Sequence, residues 1–330
     1  MKAFKKIFFA FLRVGISIIL LIFLFKQVDN KSLLEIIKNA DKFLLVSVFF
    51  IFCFTYLLAL LRWEMLLKAA QIHLSLKRII ISFSGGLFFN LFLPTAVGGD
   101  LVRSLDLSTH TKRPREVIAT VLLDRLSGYV ALVLVALLAL GFGWRFLQDR
   151  SVLIPVFIIT ALLASILLVL FNRFLYSKIN KLLHSPTAGR IREAIKNLHH
   201  EMHIFRHHKD ILVDNLIFSL VIQILGPVTF YLIALSLGLK INIIYFFIFV
   251  PIISAISLLP ISIGGLGLRD ASIVFFFAKT GVGQDLALAM SLLYFSFILI
   301  YGILGGFIYV LAIHHRRIQR HKPPAVLPRP

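Results

Sequence analysis

FFNLFLPTAVGGDLVRSLDL, Phe88 to Leu107, opens as an apolar run and meets Pro94 and then Gly98-Gly99. Asp100, Arg103 and Asp106 follow at once, with no polar domain in between. The same skeleton returns as LLPISIGGLGLRDAS, Leu258 to Ser272. Leu93-Pro94, Gly98-Gly99 and Arg103 align with Leu259-Pro260, Gly264-Gly265 and Arg269, so L-P-x3-G-G-x3-R occurs twice. A proline withholds an amide donor and ends the incoming helix. A glycine pair permits a tight reversal and a close backbone approach. Pro94, Gly98, Gly99, Pro260, Gly264 and Gly265 are therefore the expected helix-break and gate residues. The outgoing helix of the first copy should begin near Gly99 or Asp100, with its positive end at the break, where an anionic group is favoured.

The rest of the chain is far more apolar than a soluble domain: 330 residues, 59% hydrophobic, 32 of them Phe, with a mean hydropathy of +0.94. Several apolar stretches approach the roughly 20 residues that cross a bilayer, so the fold class is an all-α integral membrane protein. The net charge of +20 would suggest nucleic acid in a soluble protein. Here it belongs to loops near anionic headgroups, and no nucleic acid is expected. Cys53 stands alone in an apolar run, which excludes an intramolecular disulfide and a cysteine metal cluster.

In chain order, residues 1–25 carry Lys2, Lys5, Lys6 and Arg13 before VGISIILLIFLF and read as an uncleaved first span. A mixed-charge loop from Lys26 to Lys42 leads to a span at 43–61 that ends at Arg62, Trp63 and Glu64. The first motif region covers 79–110, and spans are expected at 117–140 and 152–172. The basic segment 173–210 places Ile191, Ile195, Leu198, Met202 and Phe205 on one helix face, the pattern of an amphipathic helix on the cytoplasmic surface. Its histidines, His199, His200, His203, His207 and His208, read as a solvated face and not as a metal site, because no carboxylate pattern frames them. A span at 211–237, the second motif region at 241–280 and a last span at 285–313 complete a single polytopic domain, 1–313. The tail, 314–330, is basic, proline-rich and expected to be disordered on the cytoplasmic side.

Charge decides between two topologies. If both motif regions crossed the membrane, the loop at 103–115 and the segment 173–210 would face outward, against the positive-inside rule. If each enters and leaves on one side, every basic loop falls inside, with both termini. That arrangement has about six full spans and two re-entrant hairpins. The hairpins enter from opposite sides, an inverted repeat of the kind that builds transporters with a site near the midplane.

Charged residues at membrane depth cost on the order of 2.5–3.5 kcal/mol each on insertion scales, so Asp124-Arg125, well inside a span, should face inward. Arg103, Asp124, Arg125 and Arg269 are expected to meet at one polar site that binds a lipid headgroup. Asp100 and Asp106 share a face with Arg103 and can tether it while it offers a bidentate fork to phosphate. Asp270 follows Arg269 in the second copy, where Leu266 replaces the first acid. The competing reading is a set of internal ion pairs that hold the hairpins shut. Asn90 and Gln223 read as helix-packing amides, Gly85-Gly86 and Gly305-Gly306 as close-packing sites, and Tyr129 as an interior aromatic.

At these residues the chain resembles the flippase-like transmembrane domain of lysylphosphatidylglycerol synthases (multiple peptide resistance factors) and its stand-alone relatives. The resemblance rests on NLFLPTAVGGDLVR, the acid–arginine pair Asp124-Arg125 and LPISIGGLGLR, and it covers nearly the whole chain. In that family the pair is usually Glu-Arg, of which Asp124-Arg125 is a shortened version. The resemblance implies a lipid flippase in the bacterial cytoplasmic (inner) membrane, without the soluble synthase domain that transfers lysine to phosphatidylglycerol. Its cargo would be an anionic phospholipid, a hopanoid or a glycolipid. Protein partners left open are a second copy of the chain and a separate lipid-synthesis enzyme. The alternatives are a membrane-embedded lipid-modifying transferase, an anion channel and a non-transporting subunit. No nucleotide loop, metal-ligand set or nucleophile–base pair is evident, so neither a cofactor nor a metal is expected, and the reading leans away from an enzyme.

Overall fold

The computed structural model describes residues 15–26, 30–93, 98–143, 209–259, 262 and 265–320, with isolated positions between 154 and 165. Pro94, Pro260, Gly264, the five histidines and nearly all of the expected span at 152–172 and surface segment at 173–210 lie outside the described residues. Among the described residues every regular element is a helix. They are α1 (Gly15–Lys26), α2 (Asn30–Lys38), α3 (Lys42–Ala69), α4 (Leu76–Phe92), α5 (Gly98–Thr111), α6 (Pro114–Gly143), α7 (Lys209–Ser236), α8 (Ile243–Ser257), α9 (Leu268–Ala278) and α10 (Gln284–Arg320).

Four helices, α3, α6, α7 and α10, are long and apolar enough to cross a membrane, each offering 27 to 29 residues. Their boundaries follow local chemistry. The Asp41 carboxylate accepts from the amides of Phe43 (2.8 Å) and Leu44 (3.3 Å) and starts α3. Pro114 occupies the first position of α6, where its missing amide donor is no loss. Asn242 caps α8 through Ile244 N at 3.0 Å. Three boundaries differ from the sequence expectation. The loop between Lys26 and Lys42 contains α2, whose Leu33 is buried against Leu288 and Ala289. α3 does not stop at Arg62 but continues to Ala69, because Trp63, Leu66 and Leu67 extend its apolar face into the core. α10 continues past 313 to Arg320.

The motif regions form two helical hairpins. α4 and α5 run antiparallel: Gly99 lies on Gly86 near the break, Asp106 meets Ser82, and His110 meets Arg78 further down. α8 and α9 are antiparallel as well, with Gly265 beside Ser257 at the break and Phe249 against Phe276 and Phe277 below it. These four helices have 17, 14, 15 and 11 residues, fewer than a crossing needs.

The long helices fix how the hairpins face each other. The base of the first lies at the C-terminal end of α3, where Arg113, just before α6, donates to Gln71 O at 3.1 Å. The base of the second lies at the other end of α3, where Asp41 N donates to Ser236 O at 2.8 Å. α10 repeats the layout. The start of α9 packs on Ser291 and Phe295, whereas the tip of α4 packs on Gly302 and Gly306 through Leu91 and Phe88. The two tips therefore approach each other along α10, roughly 10 Å apart at 1.5 Å per residue.

Each hairpin has its own apolar packing. Leu60, Trp63, Leu66 and Leu67 of α3 enclose Ile79, Phe83 and Leu107 of the first. Phe246, Phe249, Phe276 and Phe277 of the second share a cluster with Phe230 of α7 and with Ala287 and Met290 of α10. Lipid is as apolar as these side chains, so close contact and not water exclusion holds the helices together. The small residues supply that contact. A Cβ on Gly305 would lie 2.8 Å from Ser84 O, and one on Gly86 2.9 Å from Gly99 O.

Candidate functional site

Close approach at the first tip seats an arginine. Gly86 and Gly99 bring α4 and α5 together, which leaves Arg103 lying over the glycine surface of α4. Gly99 N donates to Asn90 Oδ1 at a long 3.4 Å. The Arg103 guanidinium stacks over the Trp63 ring, 4.7 Å from its centroid, and beside Phe83 at 5.5 Å. Trp63 is held in turn by its Nε1 donating to Thr120 at 3.2 Å.

From Arg103 the charges run in both directions as one alternating chain. Its Nη2 meets Asp124 Oδ2 at 2.9 Å, and its Nε meets Asp100 Oδ1 at 3.0 Å. The other oxygen of Asp124 takes Arg62 Nε at 2.7 Å, and the other oxygen of Asp100 takes Arg125 Nε. The order is Arg62–Asp124–Arg103–Asp100–Arg125, so each carboxylate is divided between two guanidinium groups. Ser219 Oγ holds the Arg62 end, accepting from Nη1 at 2.8 Å. Arg103 and Asp124 have side chains only 5% and 4% exposed, whereas Arg125 is 28% exposed. Arg103 Nη1 is buried with no acceptor among the described residues. This chain lines a cavity of about 330 Å³ that Gln223 also borders.

The second tip is built differently. Asp270 accepts from the Gly267 amide at 2.8 Å and caps α9. It also takes Arg269 Nη2 at 2.8 Å and the Ser291 hydroxyl. Arg269 lies over Phe295 at 5.0 Å. Arg269 borders a second cavity of about 330 Å³, with Tyr56, Leu91, Leu266 and Tyr301 in its wall. Ala59, Phe83, Leu87 and Asn90 border both cavities.

Of the residues singled out from sequence, Asp100, Arg103, Asp124 and Arg125 come together. Arg269 and Asp270 do not join them, because α9 approaches from the opposite end of α10. Asp106 belongs to neither group: it pairs with Arg78 Nη2 at 2.6 Å and accepts from Ser82, at the base of the first hairpin. Arg103 is therefore tethered by Asp100 and Asp124, not by Asp106. Gly98 and Gly99 are buried at the start of α5, and Gly265 turns into α9 at φ +78°. Gln223 donates to Gly128 O at 3.1 Å and joins α7 to α6. Tyr129 borders the first cavity.

Arg62, expected only as the end of a span, and Arg78 are not among the site residues that the sequence singles out. Arg78 is buried and Arg62 largely so, each in an ion pair. The apolar continuation Met65-Leu66-Leu67 after Arg62 was the available signal that α3 had not ended. The partner of Asp124 on a distant helix left no mark in the sequence.

The family model described as "Lysylphosphatidylglycerol synthase TM region" matches residues 10–306. A "UPF0104 membrane protein" of Methanothermobacter thermautotrophicus is 26% identical over 256 residues, covering 69% of this chain and 73% of its own length. A UPF0104 membrane protein of Pyrococcus horikoshii is 22% identical over 307 residues, covering 85% of this chain and 89% of its own length. No solved structure matches the chain.

Proposed function

Because this chain belongs to the lysylphosphatidylglycerol synthase TM region family, we propose that it moves a lipid between the leaflets of its membrane. It is an integral, multi-pass membrane protein; transport by it is our reading. One observation carries that reading. A chain of three arginines and two aspartates, buried at its centre, lines a cavity that shares a wall with a second, largely apolar cavity at the opposite hairpin. The lipid phosphate sits against Arg103 and Arg125 in the first cavity, with acyl chains left in the bilayer. Arg269 receives the headgroup on the other side. The short hairpin helices support a re-entrant arrangement, in which each hairpin enters and leaves on its own side as an inverted repeat. The positive-inside rule applied to the basic loops supports both termini on the cytoplasmic side of a cytoplasmic membrane.

The test is leaflet exchange. Purified protein in vesicles of phosphatidylglycerol and phosphatidylcholine, seeded with fluorescent phosphatidylglycerol, should lose outer-leaflet probe at least tenfold faster than empty vesicles. No acceleration by folded protein would overturn translocation. Conductance measured across a planar bilayer separates the anion-channel alternative, since a lipid carrier passes negligible current.

A further inference from the structure

The first cavity carries a charge surplus that defines what it can hold. Among the described residues its charged wall residues are Arg62, Arg103 and Arg125 against Asp100 and Asp124, so the formal sum is +3 − 2 = +1. Every carboxylate oxygen in this set already faces a guanidinium nitrogen, at 2.7 Å for Arg62–Asp124 and 2.9 Å for Arg103–Asp124. No acid among these is left to absorb the surplus. Arg103 Nη1 lies in the middle of the chain, on a side chain 5% exposed, without an acceptor among the described residues. A net charge at this depth is costly, and a ligand of opposite charge that cancels it is favoured. The second cavity's one charged wall residue, Arg269, is neutralised by its own partner Asp270 at 2.8 Å, a one-to-one pair that leaves no surplus, and most of the remaining wall is apolar.

We infer that the first cavity is a resting station matched to a lipid with one net negative charge, a phosphodiester headgroup. The second cavity is a transit station with no charge preference. This deepens the lipid-transport reading and rests on it for the position of the headgroup. A phosphodiester brings the sum to zero. A phosphomonoester, at about −1.5 to −2, overshoots it. A zwitterionic headgroup leaves the surplus in place, and an aminoacylated phosphatidylglycerol, whose lysine reverses the sign of the headgroup, adds to it. The chamber therefore discriminates against the lysyl-modified lipid from which the family takes its name. Discrimination arises from the odd number of charges in the chain, with an arginine at each end.

The experiment is competitive lipid retention by the purified full-length chain in nanodiscs, read by native mass spectrometry. The competing lipids share acyl chains: phosphatidylglycerol, phosphatidic acid, phosphatidylethanolamine and lysyl-phosphatidylglycerol. Phosphatidylglycerol should be retained at least tenfold over each of the other three. Arg125→Gln, at the most exposed end of the chain, lowers the sum to zero and should erase the preference over phosphatidylethanolamine. Asp100→Asn raises the sum to +2 and should shift the preference towards phosphatidic acid. Glycerophosphoglycerol displacing the lipid with similar affinity would assign the site to a soluble phosphodiester; failure to displace assigns it to the lipid. Inorganic phosphate displacing better than either overturns the charge match. So do retention that ignores headgroup charge and an unchanged preference in Arg125→Gln. Charge-matched retention without leaflet exchange would sink transport and leave the station standing, and the reverse result would do the opposite.

Discussion

The two hairpins carry the same skeleton and do opposite things with it. Aligned on the glycine pairs, Asp100 corresponds to Leu266, Arg103 to Arg269 and Ser104 to Asp270. In the first hairpin the acid stands three residues before its arginine, one helical turn away, and its second oxygen reaches Arg125 on the next helix. In the second the acid stands directly after the arginine. It closes on that arginine, the helix start and Ser291, so the cluster is complete within α9 and α10. Moving one carboxylate by four positions thus separates an open, positively biased chain from a closed, neutral pair. Duplicated backbone does not imply duplicated chemistry.

The largest expected effect tests how differently the acids are embedded. Asp124→Ala strands Arg62 and Arg103 together and should lower stability by about 3–5 kcal/mol. Asp270→Ala strands one arginine and one helix-start amide and should cost about 2–3 kcal/mol. Thermal unfolding of both variants in one detergent ranks them, and a more damaging Asp270→Ala would break the comparison. A transplant sharpens it. Asp100→Leu with Ser104→Asp writes the chemistry of the second copy into the first, costing about 1–3 kcal/mol. The protein should remain folded by size-exclusion chromatography and lose at least tenfold in retained phosphatidylglycerol. Undiminished retention would mean that the position of the acid is irrelevant. The smallest effect concerns the amides. Gln223→Ala removes a 3.1 Å bond and should cost about 1 kcal/mol, whereas Asn90→Ala removes a 3.4 Å contact and should cost about 0.5 kcal/mol or less. Equal costs in an unfolding assay would show that Asn90 does more at the tip than accept from Gly99.

Legibility in the sequence varied with the range of the interaction. α6, α7 and the apolar body of α10 were readable within a few residues, because hydropathy is a local property that the bilayer tests segment by segment. α2 was hidden by its mixed charge, since a short amphipathic helix packed on its neighbours does not look apolar. Arg62 was misread for a related reason. An arginine inside a span looks like the end of the span unless its buried partner is known. In the site, Asp100 and Arg103 declared themselves by turn spacing, and Asp124-Arg125 by sitting charged within an apolar run. The separation of Arg269 from them was not legible, because spacing along a chain says nothing about which end of α10 a helix approaches.

By itself, the sequence determined that this protein lives in a membrane, which family it belongs to, and that one broken-helix skeleton is used twice. Hydropathy and steric punctuation by proline and glycine act through neighbouring residues, so order along the chain is sufficient to read them. The tertiary structure alone decided that five charges from three helices form one odd-numbered chain while the second arginine is neutralised next door. Ion pairing is a choice among every opposite charge within reach of a flexible side chain, and only the packing of α3, α5 and α6 limits that reach to one set of partners.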